Sequence, residues 1–414
     1  MRKAKKIKPT RWMAAPETRA VIAALAAGGE PARFVGGCVR DTVARRRVKD
    51  VDITTPLRPE RVMELLVAAG LKAIPTGIDH GTVTAISGGK PFEVTTLRRD
   101  VETFGRRARV AFTDDWAADA ARRDFTINAL YADPDGAIYD PTGGLTDLER
   151  GRVRFVGDAH ARIEEDVLRL LRFFRFHAFY GKGAPDRAAL AACRDMAPKL
   201  KTLSEERVRA ELMRLLEADD PVRVLTLMHR HGVLRHVVPT LTNLRRLAAL
   251  VKLERELKLA PDPLRRLAAG LAVRKVASLA ERLRLSNAER DRLGAMLAAP
   301  RPTPEIDVPA QRRLLYRIGA EVFRDRVLLA WAERPRGDWR KLLDLARRWK
   351  APVLPVSGRD LRALGLPQGP QLGALLARVE RWWMTKDFEP GRAECLAYLE
   401  RVGARHGMTL GAAR

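Results

Sequence analysis

The spacing of hydrophobic residues changes near residue 160. Between residues 31 and 156, short β-branched and aromatic runs alternate with helical segments, a pattern typical of an α/β domain. We predict helices over 17–30, 38–47, 59–69 and 126–131. The predicted strands are Ala32–Gly36, Val51–Thr55, Thr82–Ser87, Phe92–Leu97 and Ala137–Tyr139.

After residue 160 the hydrophobic residues recur with the period of an α-helix. The predicted helices are Ala161–Tyr180, Ser204–Glu217, Val222–His231, Asn243–Leu257 and Pro263–Arg282. Four prolines between 300 and 309 and a second break at 351–358 interrupt this pattern. The fold class predicted is therefore an α/β head, built on a small mixed sheet with helices, followed by an all-α neck, body and tail. The expected domains are an N-terminal arm with a short helix at 1–30, the head at 31–156, the neck at 157–217, the body at 218–350 and the tail at 351–414.

Composition adds a strong excess of positive charge, with 77 Lys and Arg against 51 Asp and Glu and a net charge of +26. This excess indicates a polyanionic partner, although a general arginine bias contributes to it. The first twelve residues contain only basic charges, so we expect a disordered basic arm that touches nucleic acid.

The cysteines and the apolar runs indicate the cellular compartment in which the protein works. Cys38, Cys193 and Cys395 have neither disulfide nor metal-ligand spacing, which favours a reducing, cytoplasmic location. No apolar run approaches the length of about eighteen residues that a membrane span needs, so we expect no membrane segment.

Two carboxylates in the predicted strand Val51–Thr55 are the first candidates for chemistry. Asp50 and Asp52 lie two residues apart, so both would face one side of a strand. At about 4 Å their repulsion is of order 4 kcal/mol at an effective dielectric near 20, and a cation between them reverses the sign. Upstream, Phe34–Asp41 runs through Gly36-Gly37 into a helix, which could cradle a phosphate. Each signal alone is common in turns, but together they indicate metal-dependent phosphoryl or nucleotidyl transfer.

A second cluster of charged residues lies at what looks like a helix start. Arg122 and Arg123 could bind phosphate oxygens, and Asp124 could accept a hydrogen bond from a ribose hydroxyl. An N-cap with a salt bridge is the alternative for this segment. The following Asp140-Pro-Thr-Gly-Gly144 has the composition of a turn and need not touch a substrate.

Four charged residues then recur at every third position, namely Asp166, Arg169, Arg172 and Arg175. On one continuous helix they would form a single tilted stripe among leucines and phenylalanines. In such a stripe, Asp166 accepts and Arg169 donates. Cytosine and adenine offer the matching amino donor and ring-nitrogen acceptor, whereas uracil and guanine offer the reverse. One Asp–Arg pair could therefore accept C and A and reject U and G.

With these residues identified, the chain resembles the class II tRNA nucleotidyltransferase family, which contains CCA-adding enzymes and the similar bacterial poly(A) polymerases. The resemblance runs from about Arg33 to about Pro239, with a further fragment near the C-terminus. Five ordered motifs carry it: Gly36–Asp41 with Asp50-Val-Asp52, Arg122–Ala129, Asp140–Gly144, Glu165–Arg175 and Leu203–Glu211.

The resemblance implies a role for each matched position. Asp50 and Asp52 would be catalytic and hold Mg²⁺, with Glu93 a candidate third carboxylate. The residues that would bind the incoming nucleotide are Gly37, Arg40, Arg123, Asp166, Arg169, Arg172 and Arg175. Glu205-Glu-Arg207 would brace the helix that carries the last four of these. Val167 departs from the family's pattern, which has a proline there, a change that a helix interior tolerates.

The resemblance also implies an activity: addition of C, C and A to the 3′ end of tRNA from CTP and ATP, without a nucleic-acid template. Residues 98–121 correspond to the family's flexible loop for the change from C to A, and their full length argues against a relative that adds only CC. Ser357–Gly373 resembles the family's tail, where a helix N-terminus could bind an RNA phosphate or simply be capped. Poly(A) polymerase is the alternative activity, and a non-catalytic RNA-binding protein is a remote one.

Overall fold

A computed structural model describes residues 6–104, 107–272, 276–305, 307–363 and 369–404. Two compact units divide the chain. The first comprises the described residues up to Leu244 with the short pieces 261–263 and 282–284, and the second comprises 245–260, 264–281 and the described residues from 285 onward. The finer division into head, neck, body and tail stays a prediction.

The strands of the first unit form a seven-stranded sheet and a separate two-stranded ribbon. Their bounds are β1 Arg33–Val35, β2 Asp52–Thr55, β3 Lys72–Gly77, β4 Thr82–Ser87, β5 Lys90–Thr96, β6 Arg98–Phe104, β7 Arg107–Phe112, β8 Tyr131–Ala132 and β9 Ile138–Tyr139. The order in the sheet is β3-β4-β5-β2-β1-β8-β9, and β6 pairs with β7 in the ribbon. Strands β2 and β5 run parallel, and the other neighbours run antiparallel.

Eleven helices lie wholly in the first unit among the residues that the structure describes. They are α1 Pro16–Ala26, α2 Gly37–Val43, α3 Pro59–Ala68, α4 Trp116–Ala121, α5 Gly144–Arg150, α6 Ala159–Glu165, α7 Leu168–Tyr180, α8 Arg187–Met196, α9 Glu205–Leu216, α10 Pro221–Arg230 and α11 Leu234–Val237. Helices α1 and α3 contact each other and the strand β4. Their apolar residues, among them Leu25 and Leu66, are fully buried with Ile53 and Val83 of the sheet, so the sheet has an apolar core.

The second unit is helical, as the periodicity predicts. Its helices are α12 Leu244–Glu256, α13 Pro263–Gly270, α14 Val276–Arg282, α15 Asn287–Leu297, α16 Val308–Glu333, α17 Trp339–Arg348, α18 Gly358–Ala363, α19 Pro370–Thr385 and α20 Arg392–Ala404. One apolar cluster forms around Phe323 and Trp339, and another around Trp383 and Leu399. Residues 364–368 of the predicted tail motif lie outside the described residues.

The predicted strands of the head are confirmed with small shifts at their ends, but one predicted helix is wrong. Residues 126–128 form a single 3-10 turn, and Tyr131–Ala132 is a strand. A strand of two residues is too short to show an alternating pattern, which is why the apolar run read as a helix. Strand β3 was also absent from the predictions. Residues 98–121 form the ribbon and α4, with 105–106 outside the described residues.

The N-terminal segment differs from the expected disordered arm. The ammonium of Lys6 lies 2.6 Å from the carboxylate of Asp135, and the indole N–H of Trp12 donates to the hydroxyl of Thr42 at 3.0 Å. An apolar anchor within the basic stretch explains this packing. Residues 1–5 lie outside the described residues.

The three cysteines are free thiols, and all of them are buried. Among the described helices, none combines the length and the apolar character that crossing a membrane would require.

Candidate active site

Asp52 opens β2 and is the centre of a group of acidic residues. The parallel pairing of β2 with β5 sets Asp52 in register with Glu93, while Asp50 is exposed just before the strand. Burial raises the pKa of Asp52 to about 6, and the charges of Glu93 and Asp50 act in the same direction. The guanidinium groups of Arg123 and Arg40 oppose that rise. Both carboxylates and guanidinium groups thus lie near enough to Asp52, the predicted catalytic residue, to change its pKa.

The predicted phosphate cradle lies between β1 and α2. Gly36 has a φ of +69°, which favours glycine, and the helix begins at Gly37. A Cβ atom on Gly36 would lie 3.5 Å from Nη1 of Arg123. The turn therefore brings backbone N–H groups at the start of α2 close to a guanidinium. Binding of an anion by Gly37 and Arg123 stays a prediction.

Arg40 of α2 links the cradle to helix α7. Its Nη1 donates to Oδ1 of Asn128 at 2.5 Å and its Nε donates to Asp41 at 2.9 Å. The guanidinium lies 4.5 Å from the ring centroid of Tyr180 and 5.1 Å from that of Phe176. The Tyr180 hydroxyl in turn donates to Asp41 at 2.6 Å. Arg40 is consequently fixed by α7 as well as by its own helix.

Asp119 of α4 is a buried residue that the sequence analysis missed. Its carboxylate accepts hydrogen bonds from Arg122, Arg123 and the Tyr131 hydroxyl at 2.7–3.0 Å. Burial would raise the pKa of Asp119, but the two arginines outweigh it and lower the pKa to about 2. The spacing of Asp119 to the two arginines, i,i+3 and i,i+4 on a helix, was the available signal. Asp119 orients Arg123 toward the glycine turn.

The segment after α4 is not the helix start that its sequence indicates. Helix α4 ends at Ala121, and Asp124 follows in an irregular stretch. The carboxylate of Asp124 accepts from the Phe125 N–H at 2.8 Å, from Asn128 at 2.9 Å and from Arg172 at 2.7 Å. Asp124 therefore forms a salt bridge with Arg172, as the alternative interpretation of this segment expects. A hydrogen bond from a ribose hydroxyl to Asp124 stays a prediction.

The predicted continuous stripe of Asp166 and three arginines is wrong in one respect. Helix α6 ends at Glu165, Asp166 has extended backbone angles, and α7 begins at Leu168. Asp166 therefore precedes the helix that carries Arg169 and the later arginines. Its carboxylate pairs with Arg207 of α9 at 2.7 Å. We call Asp166 and Arg169 the base-reading pair. Its acidic member lies in the extended residue between α6 and α7, and its basic member lies in α7.

The three arginines of α7 each have an acidic partner. Arg169 pairs with Glu165, and Arg172 lies 2.6 Å from Asp124. Arg175 lies 2.5 Å from Glu211 of α9. The predicted brace from α9 is thus made by Arg207 and Glu211; the contact of Glu206 is with Arg284 at 3.7 Å. Glu165 and Glu211 were inside the quoted motifs but had no predicted role as partners.

The turn at Asp140 has the structure that its composition predicts. The Asp140 carboxylate accepts hydrogen bonds from the N–H groups of Gly144 and Leu145, both at 2.9 Å. A Cβ atom on Gly144 would lie 1.9 Å from the carbonyl oxygen of Thr126, so only glycine fits there. The turn holds α5 against the 3-10 turn that follows Arg123 and Asp124.

Comparisons with known proteins agree with this geometry. Residues 32–154 match the family model described as "Poly A polymerase head domain", and residues 184–244 match "Probable RNA and SrmB- binding site of polymerase A". The chain is 34% identical over 382 residues to the mouse mitochondrial CCA tRNA nucleotidyltransferase 1, covering 89% of this chain and 86% of the relative. It is 33% identical over 397 residues to the CCA-adding enzyme of Geobacillus stearothermophilus, covering 92% and 96% of the two chains. The chain belongs to the family of CCA-adding tRNA nucleotidyltransferases.

A solved structure of that family shares the fold. The crystal structure of the Bacillus stearothermophilus CCA-adding enzyme in complex with CTP superposes with a TM-score of 0.77 at 30% identity. The match covers 94% of this chain and 98% of that one. Another CCA-adding enzyme, solved with CTP, has a TM-score of 0.67 at 19% identity and supports the fold alone. The α/β head with a helical remainder is therefore the architecture of CCA-adding tRNA nucleotidyltransferases.

Proposed function

We propose that the protein adds C, C and A to the 3′ end of tRNA from CTP and ATP and releases pyrophosphate. The observation that supports this most is that Asp52, the glycine turn and the Asp166–Arg169 pair belong to one compact unit. Arg40 and Asp124 connect the turn and the following segment to α7 through direct contacts. Relatives that match most of this chain are named CCA tRNA nucleotidyltransferase and CCA-adding enzyme.

The donor set at Asp52 fits a magnesium ion. Among the described residues, no group of three or more His, Cys, Asp or Glu side chains forms a ready metal cage. Mg²⁺ typically uses one or two carboxylates and fills its other positions with water and substrate phosphates. Asp52 is half-buried and feels the charges of two further carboxylates, a repulsion that a cation would relieve. Asp50 and Asp52 would hold the ion, with Glu93 nearby.

The chemistry supplied by bound Mg²⁺ would be neutralisation of phosphate charge and activation of the attacking hydroxyl. The chain's own groups do the positioning. Arg123 and the N–H groups after Gly36 would bind the triphosphate, and Arg40 would hold the cradle against α7. Asp166 and Arg169 would read the base edge, because an amino group matches the carboxylate and a ring nitrogen matches the guanidinium.

The helical remainder would hold the RNA by its backbone and shape. Side chains cannot read the narrow major groove of A-form RNA, whereas a net charge of +26 attracts phosphates regardless of sequence. The three buried thiols are consistent with the reducing cytoplasm that we propose as its location.

The decisive experiment supplies the protein with a tRNA that lacks its 3′ end, together with CTP, ATP and Mg²⁺. We expect three added nucleotides and then arrest, measured as product length at single-nucleotide resolution. ATP alone should extend a tRNA ending in CC by one nucleotide. Absence of any extension would contradict the proposal and would favour the non-catalytic RNA-binding alternative.

Poly(A) polymerase is the second candidate, because the matching head model carries that description. It predicts a long ladder of products with ATP alone on RNA that has no tRNA fold. The same gel separates the two activities, since CCA addition requires CTP before ATP and stops at a fixed length.

A further inference from the structure

The two halves of the base-reading pair are joined by the backbone but not by their side chains. The N–H of Arg169 donates to the carbonyl oxygen of Asp166 at 2.9 Å. The carboxylate of Asp166 instead bonds to Nη2 of Arg207 at 2.7 Å, and Nη1 of Arg169 donates to Glu165. Each half therefore has its own counter-ion on its own element: α9 for the carboxylate and the end of α6 for the guanidinium.

We propose that Arg207 and Glu165 are positioning residues that separately fix the two halves of nucleotide selection. Arg207 fixes the acceptor that reads the amino group of C or A. Glu165 fixes the donor that reads their ring nitrogen. This inference rests on the proposed function and assigns to these two residues a role in selectivity beyond bracing a helix.

Hydrogen-bond capacity supports the role of Arg207. A carboxylate has about four acceptor sites on its two oxygens. The Leu168 N–H bonds to Oδ1 of Asp166 at 3.1 Å, and Arg207 bonds to Oδ2. These two bonds fix the plane of the carboxylate and still leave sites for an amino group. Without Arg207, one oxygen loses its restraint and the carboxylate can rotate about its last bond.

The same accounting supports the role of Glu165. A guanidinium has five N–H donors, and Nη1 of Arg169 bonds to Glu165 and to the carbonyl oxygen of Arg162 at 3.1 Å. The Arg169 side chain is only 15% exposed, so a misplaced donor cannot easily be rescued by water. Among the described residues, its Nε and Nη2 make no hydrogen bond, so a ring nitrogen could accept from either of them.

Separate counter-ions also explain how a base can enter. Had Asp166 and Arg169 bonded to each other, an incoming base would first have to break a partly buried ion pair. Because each charge is held by its own counter-ion, the base edge can bond to both groups without first breaking an ion pair between them.

Two CTP analogues separate the two halves. A triphosphate of pyrimidin-2-one riboside lacks the 4-amino group but keeps the ring nitrogen, and 3-deaza-CTP keeps the amino group but lacks the ring nitrogen acceptor. In Arg207→Gln we expect the kcat/KM preference for CTP over the first analogue to fall about ten- to a hundredfold, with the preference over 3-deaza-CTP unchanged. In Glu165→Gln we expect the opposite pattern.

Controls keep the result specific. Arg207→Lys should restore part of the first preference, because it returns a donor without the planar fork. Arg214→Gln removes an exposed arginine from the same helix and should leave both preferences at the wild-type value. Circular dichroism checks folding, and Arg207→Lys carries the test if Arg207→Gln does not fold.

The outcomes are distinct. A parallel fall in kcat/KM for CTP and both analogues would mean a merely structural role and would overturn the inference, as would unchanged preferences in both variants. Failure of the wild-type protein to add C from CTP would instead overturn the proposed function and leave the geometry of Asp166 and Arg169 unexplained.

Discussion

The ionised carboxylate of Asp52 destabilises the folded protein, because burial and neighbouring carboxylates disfavour its charge. Its side chain is partly buried, and two further carboxylates contribute to a pKa of about 6. An acid whose pKa is raised by folding costs the folded protein stability as the pH rises from its ordinary pKa, 3.8, through the raised value, because the charged form is the disfavoured one. Such strain concentrates at functional sites, where a ligand relieves it. This electrostatic cost is what we expect at a position that binds a cation, the role proposed for Asp52.

Asp52→Asn separates this cost from function. We expect nucleotide addition to fall by about a thousandfold or more, because several kcal/mol of charge stabilisation are lost. In the presence of EDTA the variant should melt at a higher temperature than the wild type, since a repelled carboxylate is removed. Asp79→Asn, an exposed acidic residue of the same unit, is the matched control for both assays. Wild-type activity in Asp52→Asn would remove Asp52 from the catalytic site.

His177 makes folding depend on pH at a second position. The residue is 2% exposed on α7, its Nδ1 has no hydrogen-bond partner among the described residues, and Nη1 of Arg223 lies 3.4 Å from its Nε2. Burial first, and the charge of Arg223 second, lower the pKa of His177 to about 4. The unfolded chain takes up this proton near pH 6.5, and the folded chain takes it up only near pH 4. Stability must therefore fall as the pH drops through that window.

We expect His177→Leu to lose this dependence. Between pH 6.5 and pH 4 the histidine contributes a decrease of about 2–3 kcal/mol in the free energy of unfolding of the wild type, which the variant should lack. Denaturant titrations at half-unit pH steps measure the difference. His229→Leu, which changes an exposed histidine on α10, should follow the wild-type curve. Parallel curves for wild type and His177→Leu would show that His177 is protonated in the folded state.

At the scale of elements, the break between α6 and α7 decides where the base-reading carboxylate lies. The sequence predicts one helix from 161 to 180, since the threefold spacing of charges is helical and no glycine or proline interrupts it. Asp166 nevertheless has a φ of −151° and a ψ of 106°. The family resemblance leads us to expect a proline at position 167, and a proline would have indicated the end of a helix there. Because this chain has Val167 instead, its sequence contains no signal for the break. The arginines of α7 were predictable from spacing, but the partner of Asp166 was not.

Val167→Pro tests the break directly. Val167 has a φ of −57°, close to the value that proline fixes, and the extended Asp166 before it suits a pre-proline residue. We expect the variant to be as stable as the wild type or more stable by about 0.4–1 kcal/mol, measured by denaturant unfolding. Leu171→Pro, inside α7, should cost about 3 kcal/mol or more. A similar loss in both variants would mean that one continuous helix spans the two positions.

At the scale of the molecule, the sequence predicts which regions are α/β and which are helical better than it predicts how the strands pair. The change of hydrophobic period near residue 160 separates the mixed sheet from the helical remainder. The sheet order is less accessible, because β8 and β9 have two residues each and β3 has an exposed, weakly alternating pattern. The pairing of β2 with β5, which brings Glu93 beside Asp52, joins residues 41 positions apart in the sequence, a separation that no local pattern contains.

The net charge of +26 is the property of the whole chain that most directly concerns RNA. If about six phosphates of the duplex arm are neutralised on binding, the logarithm of the association constant should fall with the logarithm of salt concentration at a slope of about −5. The slope can be measured by filter binding or fluorescence anisotropy with tRNA, at salt concentrations from about 50 to about 300 mM. Asp52→Asn should share the wild-type slope, because an amide in place of this carboxylate adds no cation that could neutralise a phosphate. A slope near zero would mean that the charge reflects arginine-rich composition alone, and RNA would then have to be held by contacts other than those to its phosphates.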